Sequence, residues 1–214
     1  LFRSWIDRVP AVLEAWFSGS EAGNALADVV FGAVNPSGKL PFTFPVRLED
    51  NGAHALGEYP GADKVKYNES IFVGYRWHDK EQLKPLFAFG HGLSYTAFAV
   101  GNVKADRTTL APNGSIRISA DVTNTGDRAG AEVVQLYIGD EQSSLPRPVK
   151  ELKGFQKVSL NPGQTRTVTF EITPGMLQYY DDAKGAWVAE PGAFTAYVGA
   201  ASDDIRGTVE FELK

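Results

Sequence analysis

Cysteine is absent from the 214 residues, which excludes disulfides, thiol catalysis and thiolate metal sites. Histidine is scarce. His54, His78 and His91 each stand alone, and none lies in a nucleophile elbow or at metal-ligand spacing. Positive charge is short as well: 21 Lys and Arg face 26 Asp and Glu, for a net charge of −5. A nucleic-acid or anionic-membrane partner needs a clustered cationic excess, so neither is expected. No window approaches the roughly 18 apolar residues that cross a bilayer. A signal peptide and an initiating methionine are also lacking, and a start at Leu1 reads as an internal or processed beginning. The expected location is periplasmic or secreted, although missing cysteines suit the cytosol as well.

What is present is enough for real cores: 43% hydrophobic and 12% aromatic residues in a chain that can hold one large or two modest domains. Ser4 to Val9 reads as a helical turn with Ser4 as N-cap, stopped by Pro10. Ala11 to Phe17 is a nearly continuous apolar run of the kind buried in a parallel sheet, though periodicity alone does not separate it from a short buried helix. Ser18 and Glu21 are spaced as a capping box, and Ala22 to Phe31 reads as a helix ending at Gly32. Strand, turn and helix make an α/β unit whose other parallel strands are not found in residues 1–100, so the first domain reads as truncated. Asn35 to Pro41 is a turn leading to a short strand at Phe42-Thr43-Phe44. A polar, glycine-containing loop over 45–70 is long enough to be functional or to wrap another body, and Ile71 to Trp77 reads as a strand.

Residues 84–96, with Phe87, Phe89, Tyr95, Gly90, Gly92 and Pro85, form fixed turns and large apolar faces without helical periodicity, and are expected to clasp two layers together. Beyond them the period changes to two. Ser115 to Val122 alternates polar with apolar, and similar runs recur at 132–138, 150–158, 165–172, 192–198 and 205–213. About seven short strands in some 110 residues is the pattern of an immunoglobulin-like or fibronectin type III-like sandwich. The expected architecture is mixed: a partial α/β sandwich segment with a parallel-sheet unit over 1–100, then an all-β sandwich over 101–214.

Three side chains are candidates for a ligand edge. Glu21 sits where a parallel-sheet loop meets a helix N-terminus, a place equally explained by capping. Glu69 lies near Tyr67, and an aromatic beside a carboxylate suits a sugar-stacking wall, against the plain reading of a solvated loop acid. His91, between two glycines, reads as structural, its ring bonding to open backbone.

Val9-Pro10-Ala11-Val12-Leu13-Glu14-Ala15-Trp16-Phe17, the segment Glu21 to Gly32 and the turn Asn35 to Pro41 together resemble the second domain of glycoside hydrolase family 3, typified by β-glucosidases. Tyr67-Asn68-Glu69-Ser70-Ile71-Phe72-Val73-Gly74-Tyr75-Arg76 followed by Pro85 to Thr96 is similar to the segment leaving that domain. Pro148 to Phe155 resembles the family's fibronectin type III-like domain. The resemblance implies a retaining, exo-acting hydrolase that needs no cofactor or metal, with two carboxyls about 5–5.5 Å apart. In the family the nucleophile is an aspartate on an N-terminal (β/α)-barrel and the acid/base a glutamate earlier in the second domain. Neither motif is present, so no catalytic residue is expected here. The implied partners are that barrel, the first part of the α/β sandwich domain, and a β-glucoside or oligosaccharide. A β-xylosidase specificity and a free-standing carbohydrate-binding or adhesive module are the alternatives; the uncovered α/β edge speaks against the second.

Overall fold

The structure, a computed structural model, describes residues 4–214. Among the described residues up to 97 the named elements are all helical: a 3-10 turn at Ile6–Arg8, helix α1 (Ala22–Val30), a second 3-10 turn at Leu48–Asp50, and the short helices α2 (Gly52–Ala55) and α3 (Tyr75–Lys80). Ten strands follow: β1 (Phe98–Ala105), β2 (Thr109–Leu110), β3 (Ile116–Asn124), β4 (Gly130–Asp140), β5 (Glu151–Leu160), β6 (Thr165–Ile172), β7 (Tyr179–Asp181), β8 (Ala186–Val188), β9 (Gly192–Ala201) and β10 (Asp204–Leu213).

The strands form two facing sheets, ordered β1-β3-β6 and β2-β10-β9-β4-β5, with β7-β8 as a separate hairpin. Alternation explains the packing. In β3, Ile116, Ile118, Ala120 and Val122 point inward while Arg117 points out, and they meet Val134, Leu136 and Ile138 of β4 across the core. Phe194 of β9 stacks on Phe211 of β10 with ring centroids 5.7 Å apart. Burying one such side chain stabilises the fold by about 1.5–3 kcal/mol, and this cluster draws on both sheets.

Strand β4 departs from alternation, because residues 134–139 are all buried. Its odd residues are covered from outside by the clasp. The Gln135 Nε2 donates to the Gly90 carbonyl (3.2 Å) and the Ala200 carbonyl (2.6 Å), and Tyr137 meets Tyr75 edge-on at 5.7 Å. Gly90 has φ +81°, and a Cβ there would lie 2.3 Å from Gln135 Oε1, so no larger residue fits. The Phe89 carbonyl accepts from Ser202 N (2.9 Å), Phe44 pairs with Phe87, and the Asn35 Oδ1 accepts from Ser94 Oγ and Tyr95 N at 2.8 Å each. The expected clasp is therefore present, and it closes over the outer face of β4.

Several local expectations differ from the structure. Ala11–Phe17 pairs with nothing and is exposed, since a parallel strand needs neighbours and no described residue supplies one. The Ser18/Glu21 capping box does not form: Gly19 (φ +72°) turns the chain, Ser18 Oγ donates to the Ala15 carbonyl (2.6 Å), and Glu21 itself is the N-cap, its carboxylate bonding to no backbone N–H of the first turn. Ser4 caps nothing with its side chain, because the turn begins two residues later after Trp5; its carbonyl accepts from Arg8. Ile71–Trp77 is not a strand. Gly74 (φ +58°) breaks the run, and Tyr75, Trp77 and His78 start a helix that buries Trp77 and His78. The Phe42–Phe44 strand is reduced to one bridge. The His91 ring, expected to bond to backbone, instead stacks on Phe87 at 5.5 Å.

Candidate functional site

Two overlapping turns shape the end of the loop: Ser70 N donates to the Tyr67 carbonyl (2.9 Å) and Phe72 N to that of Glu69 (3.0 Å). They send neighbouring side chains opposite ways. Tyr67 stands out, 77% exposed, while Glu69 is turned in and 8% exposed. Helix α2 closes over Glu69 because Gly52 has no side chain; a Cβ there would lie 3.0 Å from Trp77 Cδ2 and 3.1 Å from Glu69 Cβ. The Glu69 Oε2 is buried without a hydrogen-bond partner, an arrangement that costs free energy. Asn68 donates to Glu58, and His54 packs on the Tyr59 ring at 4.7 Å, so the loop is tied at its base. The exposed Tyr67 ring is open to stacking on an apolar face such as that of a sugar, at about 1 kcal/mol.

Glu21 belongs to another neighbourhood. It is exposed and accepts from Asn24 Nδ2 at 2.6 Å, and no hydrogen bond or ion pair joins it to Tyr67 or Glu69 among the described residues. Nor do any three His, Asp or Glu side chains gather as metal ligands there, and no described helix is long and apolar enough to cross a membrane.

The loop is held against the sandwich through α3. Lys150 Nζ bonds to Asp79 Oδ2 at 2.6 Å, Leu152 N donates to the Tyr75 hydroxyl (2.9 Å), and Tyr75 stacks on Phe89 at 5.1 Å. Arg76 reaches Glu151 at 3.3 Å, and Arg147 binds the same carboxylate at 2.6 Å while holding Asp140 at 2.9 Å. Burial opposes the charge of Glu151, but Lys153, Arg147 and Arg76 outweigh it and keep the carboxyl below its ordinary value. Burial pushes the Tyr137 hydroxyl far above the usual tyrosine range. Nothing in the sequence marks Lys150, Asp79 or Gln135 as junction residues, since each partner is distant along the chain.

Residues 1–95 match the Glycosyl hydrolase family 3 C-terminal domain, and residues 132–202 match the Fibronectin type III-like domain. The chain is 52% identical over 97% of its length to Beta-glucosidase BoGH3A of Bacteroides ovatus, and 49% identical over 94% to Thermostable beta-glucosidase B of Acetivibrio thermocellus. It spans 28% and 26% of the lengths of those two proteins. The crystal structure of the GH3 beta-glucosidase of Bifidobacterium adolescentis superposes with a TM-score of 0.91 at 37% identity, covering 98% of this chain and 31% of that one. In sequence order, in fold and in identity, the chain belongs to glycosyl hydrolase family 3, as a C-terminal-domain segment followed by a fibronectin type III-like sandwich.

Proposed function

We propose that this chain is the C-terminal portion of a retaining, exo-acting β-glucosidase that removes terminal non-reducing β-D-glucosyl residues. The 52% identity to a β-glucosidase across nearly the whole chain carries the reading. In such an enzyme one carboxylate attacks the anomeric carbon, and a second protonates the leaving oxygen and then activates water. Both would stand on a (β/α)-barrel and the earlier part of the α/β sandwich domain, the partners of this chain. The outward apolar row of Val12, Leu13, Trp16 and Phe17 supports a sheet neighbour of that kind. The chain's own contribution is the pocket edge, with Tyr67 stacking on sugar and Glu69 in the turn behind it, and with Glu21 on a separate stretch of that edge. Identities of 52% and 49% to bacterial proteins favour a bacterial source, with the enzyme in the periplasm or outside the cell.

The test is hydrolysis of an aryl β-glucoside by the 214-residue chain alone and mixed with the upstream portion. Activity in the mixture only is expected. Turnover by the isolated chain would overturn the proposal, and Glu21 and Glu69 would then be the first residues to replace. In the active mixture, Tyr67→Ala should raise KM about fivefold, the equivalent of a lost stacking contact of about 1 kcal/mol.

A further inference from the structure

The hairpin of β7 and β8 stands apart from both sheets of the sandwich. Its inner face is fully employed: the Tyr179 ring lies under the Arg147 guanidinium at 5.3 Å with its hydroxyl 3.1 Å from Ser144 Oγ, and the buried Asp181 binds Lys184 at 2.9 Å. Side chains alternate along a strand, so Tyr180, between those two residues, points the other way. Tyr180 and its cross-strand partner Trp187 form the outward pair, 49% and 65% exposed, with ring centroids 5.7 Å apart and planes at 69°. An edge-to-face pair stabilises a hairpin, but that role does not require ring faces left open to water; exposed Trp beside exposed Tyr marks a contact surface.

The company of the rings selects what they contact. Gln178, extended at ψ 148°, shares their face by the same alternation, and Asp182 is exposed where the strand turns; neither side chain has a partner among the described residues. The hairpin's lysine, Lys184, is committed to Asp181. An anionic ligand thus finds no free positive charge here and meets Asp182 instead. A purely apolar partner would bury the Gln178 amide and the Asp182 carboxylate without hydrogen bonds, at a cost. A sugar supplies both needs, with a C–H face for an aromatic ring and hydroxyls that donate to Asp182 and exchange bonds with Gln178. The 69° between the rings narrows the choice further, because two rings so inclined do not lie flat on one plane. A crystalline polysaccharide surface therefore fits poorly, whereas a single chain can stack one pyranose on Trp187 against the edge of Tyr180. We infer that the outward face of this hairpin binds a single neutral glycan chain, as an accessory site on the sandwich. It makes no use of Tyr67 or Glu69 and stands or falls separately from the hydrolase reading.

The experiment is native gel electrophoresis of the whole 214-residue chain through neutral hydroxyethylcellulose. Retardation that rises with polymer concentration and saturates is expected. Trp187→Ala should weaken it about tenfold and Tyr180→Ala about threefold, while Trp187→Tyr, which keeps a stacking face, should cost less than about threefold. Amide exchange at residues 179–181 checks that the hairpin survives each replacement, and Tyr67→Ala should leave the retardation unchanged. No retardation overturns the proposal, as does retardation that Trp187→Ala leaves intact or that Tyr67→Ala abolishes. Equal retardation by anionic carboxymethylcellulose, or tighter binding to microcrystalline cellulose than to the soluble polymer, overturns it as well. So does a dimer on sizing columns that Trp187→Ala breaks up while no polymer binds, which would give the face to a second copy of the chain.

Discussion

Phe194 and Phe17 are the same side chain in two settings. Phe194, 1% exposed, stacks on Phe211 between two sheets, whereas Phe17 is 104% exposed at the end of a run that pairs with nothing. The contrast runs through the molecule. In the sandwich each apolar row meets a second layer supplied by the same chain; in the first region Val12, Leu13, Val30 and Phe31 stay exposed, and Trp16, half-exposed, meets only the edge of Phe42 among the aromatic rings described. Hydrophobic sequence marks a surface for burial, but burial needs a partner layer, and only one of the two regions carries its own.

The contrast can be driven hardest through the core. Phe194→Ala should cost about 3–5 kcal/mol in urea denaturation, while Phe17→Ser should change stability by less than about 0.5 kcal/mol and reduce self-association on sizing columns. A large loss from Phe17→Ser would break the comparison. Next comes the clasp: Gly90→Ala puts a Cβ against Gln135 in a left-handed backbone, and should cost about 2–3 kcal/mol. Its signature is lost amide protection at residues 87–91 before the sandwich strands respond. Lys150→Ala leaves Asp79 unpaired at a mostly buried junction, for about 2 kcal/mol, with hydrogen exchange rising first in α3.

The smallest effect is with acid. Glu151, Asp106, Asp121, Asp181 and Glu190 are held below their ordinary values, and all five lie in the sandwich. A carboxyl with a lowered folded pKa binds protons less readily than in the unfolded chain. Its stabilisation is complete above the ordinary value, 4.5 for Glu151, and is lost as pH falls through the folded value. The urea midpoint should hold from pH 7 to about 5 and fall below it, and Glu151→Gln should flatten part of that slope. An unchanged slope would show that Glu151 gains nothing from Arg147 and Lys153.

The strands were legible where alternation was uninterrupted. Ser115–Val122 overlaps β3 from Ile116 onward, and 165–172 coincides with β6, because one face packs on the core and the other meets water. Strand β1 escaped this logic, since Asn102 (φ +52°) sits in a register shift between Gly101 and Lys104 that breaks the period. Ile71–Trp77 misled through composition: its β-branched and aromatic residues favour strand, but Gly74 and packing on the sandwich override them. Of the site candidates, Tyr67 and Glu69 share one pair of turns, as two positions so close in sequence must, yet one side chain points out and the other in. That Glu69 turns inward under Gly52 was not legible, since the contact depends on α2 folding back over it.

The clasp also separates two kinds of boundary. Read as connectivity, the chain passes from one region to the next at Phe98, where β1 begins. Read as attachment, residues 75–95 belong to the sandwich, through Tyr75 on Leu152, Asp79 on Lys150, Gly90 on Gln135 and Phe89 on Ser202. Segment 35–44 is attached as well, through Asn35 on Ser94, Lys39 on Glu132 and Phe44 on Phe87, so the loop around residues 57–66 hangs between two anchored stretches and the seam that yields under load lies upstream of Asn35. A force applied across the ends would be expected to straighten the chain before Asn35 ahead of the clasp, and a sandwich transplanted to another protein should carry its borrowed helix with it.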